Sequence, residues 1–275
     1  MEPAPVSRPT MRTLRDDREP ADDRLFIGSV AKCFRVLELL NESRAPLGLV
    51  DIARRSGLGK SAVQRATHTL RVLGYLRQHP DTRAYTLSSK MLEFTHTVLA
   101  QDRVRSAALP ALEALNRHCR ETVNLSRLEG DEVVIVARFP SMHAVSVDLH
   151  IGSRMPAFCT SPGRAMLSRM PPEEARRILE ASDRSARTVS TETSLRRLIE
   201  ILEQTRQRGY AVNDQETWVG DVSLAAAIVD GAGRVAGAVN IAAPSPRWTL
   251  AKLQREFRTE LMRTASEISR AIGVL

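Results

Sequence analysis

The chain has 275 residues and a formal net charge of +8, with 43% hydrophobic and only 4% aromatic residues. That length suggests two domains with aliphatic cores. There is no run of about eighteen apolar residues that would read as a membrane-spanning helix. The N-terminal 25 residues are rich in Pro, Arg and Asp and read as a disordered tail without the apolar core of a signal peptide. The three cysteines, Cys33, Cys119 and Cys159, are odd in number and widely spaced. They fit reduced thiols of a cytoplasmic protein better than a disulfide framework.

Residues 29–42 carry Val30, Phe34, Leu37 and Leu40 at helical spacing, with Ser29 as a candidate N-cap. Residues 49–73, LVDIARRSGLGKSAVQRATHTLRVL, read as two short helices around a tight turn. Ala53 is small where the helices would cross, and Gly57 stands where the turn needs a left-handed residue. Ile52, Leu58, Val63, Ala66, Leu70 and Leu73 fill the inward positions. Ser61, Arg65 and His68 fall on the opposite face of the second helix, flanked by Lys60 and Gln64. Basic, hydroxyl and amide side chains on such a face can reach phosphates and base edges. Tyr75–His79 and Arg83–Leu87 flank a Pro80-Asp81 turn and read as a two-stranded wing. Three helices and a wing make a winged helix-turn-helix, whose second hairpin helix docks in the major groove. Charge agrees: residues 26–88 hold ten Lys or Arg against four Asp or Glu, which is +6 of the +8. A basic module on a near-neutral remainder suggests a polyanionic partner, double-stranded DNA.

Residues 89–119 read as helix, divided near Arg105 to Pro110 because proline breaks a continuous helix. The first part, 89–105, would be a linker helix whose apolar residues suit a dimer contact or packing within the chain. The remainder, 106–275, is α/β in pattern. Thr122–Leu128 and Glu132–Phe139 alternate as strands around Glu129-Gly130-Asp131, and Val145–Leu149 reads as a third strand. Thr160-Ser161-Pro162 opens a helix with a hydroxyl cap and an early proline. Residues 172–182 and 194–208 are further helices. Residues 209–212 return to strand, 222–229 and 235–242 form a hairpin, and 248–272 make a long terminal helix. A curved antiparallel sheet with a capping helix leaves a concave face. The helix start after Thr160 presents backbone N–H groups and a positive dipole end that suit a carboxylate.

The chain resembles the IclR-type bacterial transcriptional regulators from about residue 26 to its end. The motifs are LRVLGYL after the hairpin, IGSRMPAFCTSPGRAML, RGYAVNDQE and VDGAGRVAGAVNIAAP. The segments MPAFCTSPGRAML and AVNIAAPSPRWT look closest to regulators of aromatic-acid and β-ketoadipate catabolism. The resemblance implies an α+β chain. It would comprise a winged helix-turn-helix, a linker helix and a GAF-like or profilin-like effector domain. It also implies homodimers or homotetramers on palindromic operators, either repressing or activating, and a small organic or aromatic acid as effector. Lys60 and Ser61 would hold phosphates, with Gln64, Arg65 and His68 nearer base edges. Effector contacts would fall to Ser161, Pro162, Asn213, Ser223, Asn240 and Ala242. Relatives often carry Asp, Cys and Ser at the positions of Asn213, Ser223 and Asn240.

No cofactor is expected, and no enzyme. Cys159-Thr160-Ser161 has no His or Asp at a diagnostic motif spacing. His118, Cys119, His143 and His150 lack metal-ligand spacing. The alternative is a small-molecule enzyme or sensor whose N-terminal hairpin mediates protein contacts.

Overall fold

The computed structural model describes residues 25–43, 45–143 and 149–273. Apart from Leu25 the expected N-terminal tail lies outside them, and so does the expected strand at 145–149 except for Leu149. Contacts divide the chain into two units, one ending at Val98 and the other beginning at Leu99.

In the first unit, α1 (Gly28–Glu42), α2 (Leu49–Ser56) and α3 (Lys60–Val72) precede β1 (Leu76–Gln78) and β2 (Tyr85–Leu87). Val36, Leu39 and Leu40 of α1 bury against Ile52 of α2 and Val63, Ala66 and Leu70 of α3. Leu76 and Tyr85 close the cluster from the wing. Gly57 ends α2 at φ 71°, a conformation open to glycine at little cost. The strands pair antiparallel, and Leu47 bridges to Tyr85 from outside them. Three details differ from the sequence reading. The N-cap of α1 is Ile27, with Ser29 inside the helix. Val30 and Phe34 point to solvent, because the helix turns Val36 and Leu39 inward instead. Leu73 is 52% exposed, since α3 stops at Val72 and the chain turns away at Gly74.

The first unit also takes in most of α4 (Met91–Gln101). Lys90 Nζ donates to the Leu73 carbonyl at 2.9 Å and lies 4.6 Å from the Tyr75 ring centroid. Tyr75 in turn meets Phe94 at 5.9 Å. No residue of α4 is buried; Leu92, Phe94 and Val98 are exposed.

The second unit opens with α5 (Arg103–Cys119). The helical division therefore falls at Asp102, earlier than the proline predicted. The Asp102 carboxylate accepts the Arg105 N–H at 2.9 Å and caps α5, and Pro110 is carried inside the helix. A six-stranded antiparallel sheet follows in the order β5-β4-β3-β8-β7-β6. Its strands are β3 (Thr122–Glu129), β4 (Glu132–Phe139), β5 (Arg154–Pro156), β6 (Ala211–Asp214), β7 (Asp221–Val229) and β8 (Val235–Pro244). Successive side chains alternate between faces. Val123, Leu125, Val222, Leu224, Val239 and Ile241 pack on α5 and on α9 (Leu250–Gly273). The other face carries Ala225 and Ala238, and packs on α6 (Ser161–Arg169), with α7 (Pro172–Ala181) and α8 (Leu195–Arg208) outside it. Gly163 sets how closely α6 seats: a Cβ there would stand 2.2 Å from the Ala157 carbonyl oxygen.

Candidate nucleic-acid interface and ligand site

Amphipathic spacing turns one side of α3 into the core and the other into solvent. Lys60, Ser61, Gln64, Arg65 and His68 are all exposed. None of the five side chains makes a hydrogen bond or ion pair to a described residue. Thr67, between them in sequence, is fully buried and satisfies itself on the Val63 carbonyl at 2.9 Å. The N-cap of α3 is Gly59, which brings no side chain to the first-turn N–H groups. An exposed helix start of this kind favours a phosphate. On the wing, Arg77 and Arg83 are exposed, and Gln78 Nε2 donates to the Arg83 carbonyl at 3.0 Å. One face of the unit therefore offers, from Lys60, Ser61, Gln64, Arg65 and His68, donors and positive charge not engaged by any described residue.

The second site is built at the start of α6. Thr160 caps the helix, its Oγ1 accepting the Gly163 N–H at 3.3 Å. Pro162 has no N–H, and the Arg164 N–H already bonds the Thr160 carbonyl. The helix start therefore offers fewer donors than its sequence suggests: the Ser161 N–H and hydroxyl are what remain. The Ser161 and Ser223 hydroxyls lie 2.8 Å apart, both buried. Ser223 is opposite Asn213 on β6 and Ala242 on β8. Asn213 Nδ2 donates to the Cys159 carbonyl and to Thr217 Oγ1, the latter at 3.1 Å, and its Oδ1 accepts the Glu216 N–H at 3.2 Å. Asn240 Oδ1 accepts from Asn124 Nδ2 at 3.3 Å, and Asn124 Oδ1 accepts from Arg138 Nη1 at 2.9 Å. Ala242 is half-buried. All six residues singled out from the sequence thus come to one sheet face or to the helix covering it.

A buried ion pair holds this arrangement. Arg164, 2% exposed, makes a bidentate pair with Glu216, its Nη2 donating at 2.6 Å. Arg164 Nε donates to the Phe158 carbonyl at 2.8 Å, and Glu216 also accepts the Glu192 N–H at 3.0 Å. The loop after β6 is so tied to α6. Neither Arg164 nor Glu216 stood out in the sequence, since a charged residue inside an apolar helix start carries no sign of its partner some fifty positions on. Asn124 and Arg138 were also missed; strand alternation places Asn124 on the face of Asn240 only once the β3–β8 register is known.

Cys159 is fully buried, and burial pushes its thiol up to about 11, against the opposing pull of Arg164 and Arg187. A thiol so protonated is a poor nucleophile. Cys119 is likewise pushed up to about 11 by burial. Among the described residues no three His, Cys, Asp or Glu side chains come together as metal ligands.

Residues 29–80 match the IclR helix-turn-helix domain, and residues 96–270 match the family described as bacterial transcriptional regulator IclR, C-terminal. The chain belongs to the IclR family of bacterial transcriptional regulators. Over 269 residues this IclR-type regulator is 32% identical to the Pca regulon regulatory protein of Pseudomonas putida, covering 98% of this chain and 90% of the relative. The crystal structure of RHA06195 from Rhodococcus sp. RHA1 is similar with a TM-score of 0.80 and 30% identity, over 90% of this chain and 99% of that one. An IclR homologue from Microbacterium hydrocarbonoxydans, solved in complex with 4-hydroxybenzoate, shares the fold at a TM-score of 0.75 and 24% identity, over 90% of this chain and 100% of that one. The family is one of DNA-binding regulators with an N-terminal helix-turn-helix and a C-terminal antiparallel sheet domain, and no finding favours the alternative of an enzyme whose hairpin serves protein contacts. Among the described residues no helix is long and apolar enough to cross a membrane.

Proposed function

We propose that the chain reads operator DNA through α3 and answers to a small organic acid held between α6 and the sheet. Residues 26–88 form the DNA-binding domain, α4 with the break at Asp102 the linker, and the chain from α5 onward the effector domain. Lys60 and Ser61 hold phosphates, while Gln64, Arg65 and His68 reach base edges in the major groove. The observation that carries this reading is the set of five exposed side chains on one face of α3, none bonded to a described residue. The acid's carboxylate meets the Ser161 N–H and hydroxyl and Ser223, with Pro162, Asn213, Asn240 and Ala242 shaping the rest. A ligand can move the DNA equilibrium only by binding one setting of the reading heads more tightly than another.

Similarity to the Pca regulon regulatory protein supports control of catabolic genes for aromatic or other small acids. The chain works in the cytoplasm as a homodimer or homotetramer and catalyses no reaction. Exposed Phe34 on α1 and Leu92, Phe94 and Val98 on α4 support self-association, since apolar side chains of this size gain from being covered. The test is a titration against DNA from the gene's own upstream region, with and without aromatic and dicarboxylic acids. Specific binding altered by one acid supports both halves. Specific binding that no acid alters removes the ligand half, and absence of specific binding counts against α3 as the reader.

A further inference from the structure

One buried carboxyl on the α6 side of the sheet has no role in the site as described. Asp221 opens β7, two residues before Ser223, so alternation puts both on the same face. It is 6% exposed, and its carboxyl makes no hydrogen bond to a described residue. Burial pushes this carboxyl up to about 7, and the charge acting against that is the Arg138 guanidinium, on β4 across the same face. Buried polar groups are nearly always paired within the protein, so an unpaired carboxyl two residues from Ser223 on the same face points to a partner supplied from outside.

We infer that Asp221 is a specificity-determining residue of the acid site, selecting an effector that carries a hydroxyl or amino group some distance from its carboxylate. Two residues along a strand separate Asp221 from Ser223, roughly 6–7 Å. A single ring bearing a carboxylate and a para donor spans that length. An acid without the donor leaves Asp221 buried and unpaired. A dicarboxylate of the same length brings a second negative charge against it, in surroundings that already disfavour one. Asp221 is not among the positions that the family resemblance assigns to effector contact. The inference rests on the proposal that the carboxylate lies at the start of α6.

Calorimetric titration of the full chain at pH 7.5 with 4-hydroxybenzoate, 4-aminobenzoate, benzoate and terephthalate tests it. The wild type should bind the two donor-bearing acids at least about tenfold more tightly than benzoate, with terephthalate weakest. Asp221→Val should bind benzoate as the wild type does and lose that preference. Asp221→Asn, which keeps the shape and drops the charge, should relieve the penalty on terephthalate by about tenfold. If Asp221→Val folds poorly, the Asp221→Asn result decides. Preferences unchanged in the variants overturn the role of Asp221 while leaving the acid site standing. Failure of all four acids to bind a wild type that still binds its upstream DNA overturns the acid-site reading and this inference together.

Discussion

On α3 Lys60, Ser61, Gln64, Arg65 and His68 stand in solvent without a side-chain bond to a described residue; under α6 the polar side chains are buried and bond to one another. Arg65 and Arg164 are the same residue type on two helices, yet the first is exposed and without a described partner and the second is 2% exposed and locked to Glu216. The first arrangement separates function from stability, because no described residue bonds to the Arg65 side chain. The second couples them, because each group in the buried network is both a neighbour of the proposed acid site and a support for its own wall.

The sharpest way to break that contrast is Arg164→Ala. It leaves the Glu216 carboxylate with its partner gone, which should cost about 3–5 kcal/mol in urea unfolding. A loss below about 1 kcal/mol would mean that the pair is not the lock described. Next comes a pH effect. Burial holds the folded Asp221 carboxyl near 7, above its ordinary range, with Arg138 only partly opposing. The folded chain keeps a proton there that the unfolded chain has released. This contribution to stability is therefore present in full below about pH 4 and is lost as pH rises to about 7. At about 1.4 kcal/mol per unit the effect is on the order of a few kcal/mol. Asp221→Asn should flatten the stability profile between about pH 4 and 7, and an unchanged slope would show that another group titrates there.

Two predictions sharpen the other side. Arg65→Ala should weaken binding to the specific site by about 1–3 kcal/mol while leaving the melting temperature within about a degree and acid binding intact. Lys60→Ala should be milder: binding weakens evenly across sequences, and the salt dependence of log K falls by about one unit of slope. A base-specific change from Lys60→Ala, or a uniform one from Arg65→Ala, would reverse their assigned roles.

Period-3.6 and period-2 patterns made nearly all of the elements legible. The face of α3 was legible because solvent exposure needs no partner to be identified: the opposite face is apolar at Val63, Ala66 and Leu70, and that suffices. The buried site was legible only in part. Ser161 and Ser223 could be named through family resemblance, but their contact depends on how α6 lies across the sheet, and Gly163 sets that by close approach to Ala157. Asp221 escaped because a lone acidic residue after Gly220 reads as a loop or exposed strand end until the sheet is assembled. The helix break was misplaced for a related reason. Pro110 is a known disruptor, whereas the capping Asp102 acts through a single hydrogen bond and wins because it satisfies a helix end outright.

The most direct measurement is fluorescence anisotropy of the upstream intergenic DNA titrated with wild type and Arg65→Ala, at physiological salt and with excess nonspecific competitor. The account predicts a specific complex for the wild type and about a fivefold or greater loss for the variant, with equal thermal stability. Equal affinity of the two proteins for that DNA would contradict it, and α3 would not be the helix that reads the sequence.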